Sequence, residues 1–287
     1  MGIQSKKKNC IIAIRHRAKA LGRLFEAQSC GNNPMVSATT QPIVLITGAS
    51  RGIGAATALL AADAGFAVAV NFHSNAAAAQ TLVQQITAAG GQAFAVQADV
   101  AQEDQVLQMF EAIDRQPGRL GALVNNAGVV DVACRVEDMS VARLKRMFDT
   151  NVIGSMVCAR EAVRRMSTQR GGSGGAIVNV SSVAATLGSP GQYVDYAASK
   201  GAIDTFTIGL AREVAAVGIR VNAVRPGIID TEIHASGGQP ERARQLAHQI
   251  PMQRAGTANE VAQAIVWLLS AHASYTTGAL LDVAGAR

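Results

Sequence analysis

The stretch IVLITGASRGIGAATALLAADA, residues 43–64, decides the fold. The run IVLITG is continuously apolar, which is typical of a strand buried on both faces of a parallel sheet, and residues 53–64 predict a helix. Gly48 permits a tight turn between the two, while Gly52 and Gly54 let the backbone approach a phosphate and let the helix pack on the strand. The helix N-terminus offers unpaired N–H groups to a diphosphate. The stretch therefore predicts a nucleotide-binding turn, and the lack of a Gly-Lys-Ser/Thr sequence argues against a P-loop.

Outward from this stretch, strand and helix patterns alternate along the chain. Six more strand-like segments follow: AVAVNF, QAFAVQADV, LGALVNNAG, AIVNVS, GIRVNAVRPG and GALLDVAG. Helical patterns separate them, and the longest, at residues 140–167, is expected to break near Asn151. Regular alternation predicts a Rossmann-type, doubly wound parallel sheet of about seven strands between two helix layers, an α/β/α fold. We assign residues 41–287 to this single domain.

The first 40 residues differ from the rest of the chain in charge. They hold seven of the 26 Lys and Arg residues and one of the 20 Asp and Glu residues, so the remaining 19 bases and 19 acids balance. A balanced body gives no support for a polyanion partner, and we expect no nucleic-acid binding. We expect residues 1–40 to be a basic, poorly ordered extension. Apolar residues at positions 11, 14, 18, 21 and 25 form a helical stripe, so a membrane-surface or targeting helix is the alternative.

Apolar runs and cysteines indicate the compartment. No apolar run approaches the roughly 20 residues that span a bilayer, so we expect no membrane insertion. The four cysteines form no CxxC pair and no metal-ligand spacing. We therefore expect no metal site, ordinary thiols of a reducing compartment, and a cytoplasmic location.

A hydroxyl, a phenol and an amine occur close together in SVAATLGSPGQYVDYAASK, residues 182–200. Tyr196 and Lys200 are four residues apart in a helical pattern, so both side chains should lie on one face, one turn apart. A neighbouring ammonium lowers the pKa of a phenol, which would let Tyr196 exchange a proton with a substrate oxygen near neutral pH. Ser182 follows the strand AIVNVS, and its hydroxyl is placed to hydrogen-bond the same oxygen.

Two neighbouring residues compete for these roles. Tyr193 has Ala197 four residues further on, so only Tyr196 has a lysine one turn away. Ser181 adjoins Ser182, and the alternation of a strand would point the two side chains to opposite sides. We assign the catalytic role to Ser182 and a structural one to Ser181.

Several motifs follow one another in the order of a known family. TGASRGIG at residues 47–54 is similar to the family pattern TGxxxGxG, residues 125–128 read NNAG, and Pro226 and Gly227 match a PG turn. Ser182, Tyr196 and Lys200 match the Ser and YxxxK of the same family. From residue 42 onward, the chain resembles the short-chain dehydrogenase/reductase family in its shorter, single-domain form.

The resemblance implies hydride transfer between a nicotinamide and a small-molecule carbonyl or secondary alcohol. It implies that Tyr196 is the general acid/base, Lys200 holds the nicotinamide ribose, Ser182 polarises the carbonyl and Asn151 positions a relay water. Asp99 corresponds to the acid that contacts the adenine, and the PG turn lies beside the nicotinamide. The expected cofactor contacts are Gly48, Ser50, Arg51, Gly52, Ile53, Gly54, Asn71, His73, Asp99, Val100, Asn126, Ala127, Gly128, Tyr196, Lys200, Pro226, Gly227, Ile229 and Thr231.

The end of the second strand indicates which cofactor is used. Relatives that prefer NAD usually carry an Asp there, whose charge repels a 2′-phosphate. Here the strand runs Val-Asn-Phe-His-Ser with no acid, and Arg51 lies where similar NADP-dependent members hold a base. We therefore expect NADP(H). His73 is a departure, because many such relatives have Arg there and an imidazole is mostly neutral at neutral pH.

Substrate and assembly are less constrained. Residues 228–253 are expected to form the lid of the substrate pocket, and an acyl-carrier-protein ketoreductase, a sugar dehydrogenase and a general carbonyl reductase all remain open. The resemblance implies a homotetramer or homodimer paired through helices at residues 140–167 and 195–214 and through the C-terminal segment. A catalytically silent NADP(H)-binding sensor on the same fold is the alternative function. A basic adaptor for nucleic acid or membranes would depend wholly on residues 1–40.

Overall fold

The computed structural model describes residues 41–287, apart from the side chain of His234. The helical stripe expected in residues 1–40 lies outside the described residues. Among the helices of residues 41–287, none is long and apolar enough to cross a membrane.

Nine strands form in this part of the chain. They are β1 (Ile43–Ile46), β2 (Ala67–Phe72), β3 (Gln92–Gln97), β4 (Leu120–Asn125), β5 (Gly175–Val180), β6 (Ile219–Pro226), β7 (Ile229–Asp230), β8 (Gly256–Thr257) and β9 (Leu280–Val283). Seven of them make one sheet in the order β3-β2-β1-β4-β5-β6-β9, and every neighbouring pair in it is parallel. Strands β7 and β8 form a separate parallel ribbon. The predicted doubly wound sheet is confirmed.

Helices follow most of the strands. They are α1 (Gly52–Asp63), α2 (Ala76–Ala88), α3 (Glu103–Asp114), α4 (Val141–Phe148), α5 (Ser155–Met166), α6 (Ala184–Leu187), α7 (Val194–Val214), α8 (Ile233–Ser236), α9 (Arg242–Leu246) and α10 (Ala258–Leu269). The long helical region does not break at Asn151. Instead, a π-helical segment, Asp149–Gly154, joins α4 directly to α5.

Apolar cores lie on both faces of the sheet. Val44 and Ile46 of β1 point into one of them, and Ile43 and Leu45 point into the other. Because both faces are covered by helices, every residue of β1 is buried and its sequence shows no polar alternation. Helices α1, α2 and α10 cover the first face, whereas α3, α5 and α7 cover the second.

The strand order places a crevice beside β1. The chain leaves β1 toward β2 and β3 on one side and returns to β4 on the other. The loops that follow β1 and β4 therefore diverge from neighbouring strands at the carboxyl edge of the sheet. In open parallel sheets, ligands bind at such a switch point.

Candidate active site

The glycine loop between β1 and α1 has an open helix N-terminus. Gly48 and Gly52 have φ values of +59° and +55°, in the left-handed region that favours glycine. Arg51 is the N-cap residue of α1, but no side chain caps the helix and its first turn holds no acid. The first N–H groups of a helix lack intrahelical partners, so this end favours the phosphates of a nucleotide.

Gly54 is packed so tightly that a larger residue does not fit. A Cβ atom built on Gly54 would lie 2.6 Å from Nδ2 of Asn126 and 2.8 Å from the carbonyl oxygen of Gly48. A Cβ on Gly48 would lie 3.0 Å from the Cα of Ala127. The loop after β4 is therefore clamped against the glycine loop.

Two asparagine amides hold the glycine loop from opposite sides. Nδ2 of Asn126 donates to the carbonyl oxygens of Thr47 at 2.8 Å and Gly48 at 3.0 Å. Oδ1 of Asn71 accepts from the Gly48 N–H at 3.0 Å, and its Nδ2 donates to two backbone carbonyls at the end of β3. The side chain of Asn71 is buried. It therefore supports the loop from within the fold, and its contact with the cofactor stays a prediction.

Ser182, Tyr196 and Lys200 line one cavity at the carboxyl ends of β5 and β6. Tyr196 and Lys200 lie one turn apart on α7, and Nζ of Lys200 is 5.6 Å from the centroid of the Tyr196 ring. The same Nζ donates to the carbonyl oxygen of Val180 at 2.8 Å. Oγ of Ser182 accepts from the Ala184 N–H at 3.1 Å, and Ser182 and Tyr196 face the same cavity. The structure thus brings the three predicted side chains together.

Burial controls the acidity of the phenol and the amine. It raises the pKa of Tyr196 above its ordinary value, and the Ser182 hydroxyl acts in the opposite direction. It lowers the pKa of Lys200 to about 8, against the influence of the Asp204 carboxylate one turn further along α7. The pKa of Tyr196 is thus raised, whereas a neighbouring ammonium was expected to lower it. The reason is that burial of the phenol outweighs the effect of Ser182. The phenol is therefore protonated at neutral pH and able to donate a proton.

Asn151 lies in the π-helical segment and fixes the loop after β4. Its Oδ1 accepts from the Val129 N–H at 2.8 Å, and its Nδ2 donates to the Val129 carbonyl at 3.0 Å and to Oγ of Ser199 at 3.2 Å. A Cβ on the adjacent Gly128 would lie 3.4 Å from Oδ1 of Asn151 and 3.6 Å from Nζ of Lys200. The side chain of Asn151 therefore positions this loop, and its role toward a relay water stays a prediction.

The end of the groove beside β2 carries the side chains expected to select the cofactor. Nε2 of His73 lies 3.9 Å from Oδ2 of Asp99, whose Oδ1 accepts from the Ala101 N–H at 3.0 Å. Arg51 is exposed and forms no ion pair within the described part of the chain. Val100 is buried in the apolar core on the second face of the sheet, and its contact with the cofactor stays a prediction.

The turn after β6 closes the groove on the side of the substrate cavity. The Gly227 N–H donates to the carbonyl oxygen of Val283 at 3.0 Å, and a Cβ on Gly227 would lie 2.8 Å from the Cα of Ala284. A Cβ on Gly52 would lie 3.5 Å from Cγ2 of Thr231, so this turn faces the glycine loop. The cavity is lined by seven of the other expected cofactor contacts: Ile53, Asn126, Gly128, Pro226, Gly227, Ile229 and Thr231.

Sequence reasoning missed part of the cavity wall. Leu187, Tyr193, Arg242 and Arg287 also line it. Arg242 belongs to residues 228–253, the segment expected to form the lid, but no motif singled it out. Arg287 is the last residue of the chain, and only the fold of the loop after β9 brings it to the cavity.

The site combines a glycine turn at the switch point of a doubly wound sheet with a phenol and an amine in the adjoining cavity. This combination is typical of a nucleotide-dependent oxidoreductase. Comparison with known families agrees, since a family model described as "Enoyl-(Acyl carrier protein) reductase" matches residues 48–285. The chain belongs to the short-chain dehydrogenase/reductase family.

Similar proteins cover nearly the whole described region. The chain is 61% identical over 245 residues to the uncharacterized oxidoreductase YgfF of Escherichia coli, covering 85% of this chain and 99% of the relative. It is 39% identical over 246 residues to the 3-oxoacyl-(acyl-carrier-protein) reductase FabG of Staphylococcus aureus, covering 84% and 96%. Among solved structures, a blue fluorescent protein from a metagenomic library, in complex with NADPH, superposes with a TM-score of 0.78 at 34% identity, covering 85% and 97%.

Proposed function

We propose that this protein is an NADP(H)-dependent oxidoreductase that interconverts carbonyl compounds and secondary alcohols, with Tyr196 as the general acid/base. The observation that carries the proposal is the shared cavity. Ser182, Tyr196 and Lys200 line the same cavity as Gly128 and Gly227, at the end of the glycine-loop groove. When bound there, a nicotinamide would supply or accept the hydride.

The protein groups around the reacting carbonyl would each move or stabilise charge. In reduction, the protonated Tyr196 donates its proton to the carbonyl oxygen, as the raised pKa of the phenol favours. The Ser182 hydroxyl donates a hydrogen bond to that oxygen as charge develops on it. Lys200 donates one N–H to the carbonyl oxygen of Val180, which leaves two N–H groups to donate to ribose hydroxyls. Its positive charge also acts on the nearby phenol of Tyr196. Asn151 keeps the loop around Gly128 in place and acts as a positioning residue.

Residues of the glycine loop would hold the dinucleotide. The open end of α1 accepts the diphosphate, and the glycines provide the close approach that side chains would block. Arg51 is exposed without an acidic partner among the described residues, which leaves its charge for a 2′-phosphate. His73 adds a second donor, and no carboxylate directly follows β2 to repel the phosphate. The similar protein solved with NADPH supports the same choice.

Nucleotide titration followed by a substrate panel tests the proposal. NADPH and NADH are titrated by fluorescence, and turnover is measured on a panel of carbonyl compounds with Tyr196→Phe. We expect tighter binding of NADPH and a loss of turnover of about 10²- to 10⁴-fold in Tyr196→Phe with binding retained. The matched control is Tyr275→Phe, because Tyr275 is fully exposed. Binding without turnover on any carbonyl would favour the silent sensor, and binding of neither nucleotide would overturn the proposal.

We also propose that the protein is cytoplasmic and assembles into a homotetramer or homodimer. Helix α4 and the π-helical segment expose Val141, Leu144 and Ile153 to solvent, which is costly unless they are covered. A second copy that packs on this face would cover them. Light scattering on the purified protein tests the assembly, and Val141→Glu is expected to shift it toward the monomer.

A further inference from the structure

Two arginines line the cavity that holds Ser182 and Tyr196. Arg242 begins helix α9 in the lid, and Arg287 lies in the segment that follows β9. Apolar side chains such as Leu187 and Val130 line the same cavity. Ligand sites that are mostly apolar and carry a few charged groups typically use those charges to orient the ligand.

Neutral partners hold the guanidinium of Arg242 in place. Nη1 donates to Oε1 of Gln239 at 2.6 Å, and Nη2 donates to Oε1 of Gln192 at 2.8 Å. The guanidinium carbon also lies 5.2 Å from the centroid of the Tyr193 ring, in cation–π contact. The side chain is therefore fixed at the cavity without losing its charge to a carboxylate.

The guanidinium groups of these two arginines have no acidic side-chain partner within residues 41–287. Neither Arg242 nor Arg287 forms an ion pair there, whereas Arg244 on the same short helix pairs with Glu241 at 2.9 Å. Burial and the positive charge of Arg242 both lower the pKa of Arg287. Two like charges that repel each other at one cavity are stabilised when an anion binds between them.

We propose that Arg242 and Arg287 bind the carboxylate of the substrate, so that this enzyme acts on oxo acids in preference to neutral ketones. The proposal rests on the proposed reductase function and deepens it. Guanidinium groups bind carboxylates through two parallel hydrogen bonds, which fixes the direction of a ligand as well as its charge. With its carboxylate held at the arginine end, the carbon skeleton of an oxo acid would lie along the apolar wall toward Ser182 and Tyr196.

Matched acid and ester substrates test the inference. The ratio of kcat/KM for levulinate to that for methyl levulinate, and for acetoacetate to methyl acetoacetate, is measured with NADPH. We expect the wild type to prefer the acids and Arg242→Gln or Arg287→Gln to lower the ratio about tenfold or more, mainly through KM on the acid. Arg244→Gln is the matched control, since Arg244 is a solvent-exposed neighbour, and its ratio is expected to equal that of the wild type.

The outcomes separate this inference from the function on which it rests. Turnover of the esters with no preference for the acids would overturn the oxo-acid proposal and leave the reductase intact. An equal loss in Arg244→Gln would overturn it as well, because the effect would then be one of general surface charge.

A binding measurement keeps the inference testable without turnover. Succinate, which cannot be reduced here, is added during thermal unfolding in the presence of NADPH. We expect succinate to raise the Tm of the wild type but not that of the Arg242→Gln/Arg287→Gln variant. Inorganic phosphate is tested in the same way, and we expect it to raise the Tm less than succinate does if the site binds carboxylates. No rise in the wild type, or an equal rise in the variant, would overturn the proposal.

Discussion

The guanidinium of Arg143 and the carboxylate of Asp195 form a buried, two-pronged ion pair beside the candidate active site. Nε donates to Oδ2 at 2.7 Å and Nη2 to Oδ1 at 3.2 Å, and the side chains are only 9% and 0% exposed. Nη1 of Arg143 also donates to the Val132 carbonyl at 2.7 Å. Because Asp195 directly precedes Tyr196, the pair fixes the start of α7 against α4 and the loop after β4.

Removal of one partner from this pair should be costly. We expect Arg143→Met to lower the free energy of unfolding by about 3–5 kcal/mol, because the carboxylate of Asp195 would remain buried and unpaired. Turnover should fall as well, since Tyr196 would lose its fixed position. Denaturant titration and steady-state kinetics measure the two effects.

The exposed pair of Arg135 and Glu137 supplies the control for that change. Arg135→Met should cost less than about 1 kcal/mol. The double variant Arg143→Met/Asp195→Leu should recover much of the lost stability, because no charge is then left unpaired. A stability of Arg143→Met equal to that of the wild type would contradict the argument.

A carboxylate placed after β2 should change the cofactor preference. We expect His73→Asp to shift the ratio of Kd values for NADPH and NADH toward NADH by about tenfold or more, through repulsion of the 2′-phosphate. Arg51→Gln should weaken NADPH binding and leave NADH binding nearly unchanged. Fluorescence titration of both nucleotides measures the ratio. His272→Asp, on an exposed turn, is the control, and an unchanged ratio in His73→Asp would refute the assignment.

A methyl group at Gly54 should damage the nucleotide loop. The new Cβ would meet Nδ2 of Asn126 at 2.6 Å and the Gly48 carbonyl at 2.8 Å, so the backbone must shift. We expect Gly54→Ala to destabilise the protein by about 1–3 kcal/mol and to weaken nucleotide binding. Gly209→Ala on α7 is the control, as nothing lies within 4 Å of its Cβ and helix propensity should stabilise it by about 0.5–1 kcal/mol. Equal behaviour of the two variants would argue against close packing.

Burial of the Lys200 ammonium should lower the free energy of unfolding. Burial lowers its pKa from 10.5 to about 8, so the unfolded chain binds this proton more tightly, and the penalty is complete below about pH 8. That shift is worth about 3 kcal/mol, and the bond to Val180 returns about 1 kcal/mol. We therefore expect Lys200→Met to be more stable by about 2 kcal/mol near neutral pH while losing turnover.

The pH dependence of this difference identifies its cause. The advantage of Lys200→Met should shrink as the pH rises from about 8 to 10.5, where the unfolded chain also loses the proton. Denaturant titrations at neutral and alkaline pH measure it. A variant that is less stable than the wild type at neutral pH would show that the hydrogen bond of Lys200 outweighs its burial.

Most of the sheet could be predicted because each strand and helix is encoded locally. The segment AVAVNF, for example, is the observed strand β2, Ala67–Phe72, since its apolar run is buried on both faces. The turn Asp149–Gly154 was less accessible, because a π-helical turn differs from an α-helical one by a single extra residue and leaves the periodicity almost intact. Sequence patterns therefore indicated an irregularity in the helix near Asn151 but did not show that it is a π-helical segment.

The sequence by itself determined the alternation of strands and helices, the glycine turn and the spacing of Tyr196 and Lys200. These features depend on residues within one or two turns of each other. Only the tertiary structure decided that Asn71 points inward to Gly48, that Arg143 meets Asp195 across 52 residues of chain, and that Arg242 and Arg287 line one cavity. Such contacts join segments far apart in sequence, and their geometry is set by the packing of helices on the sheet, which no local pattern records.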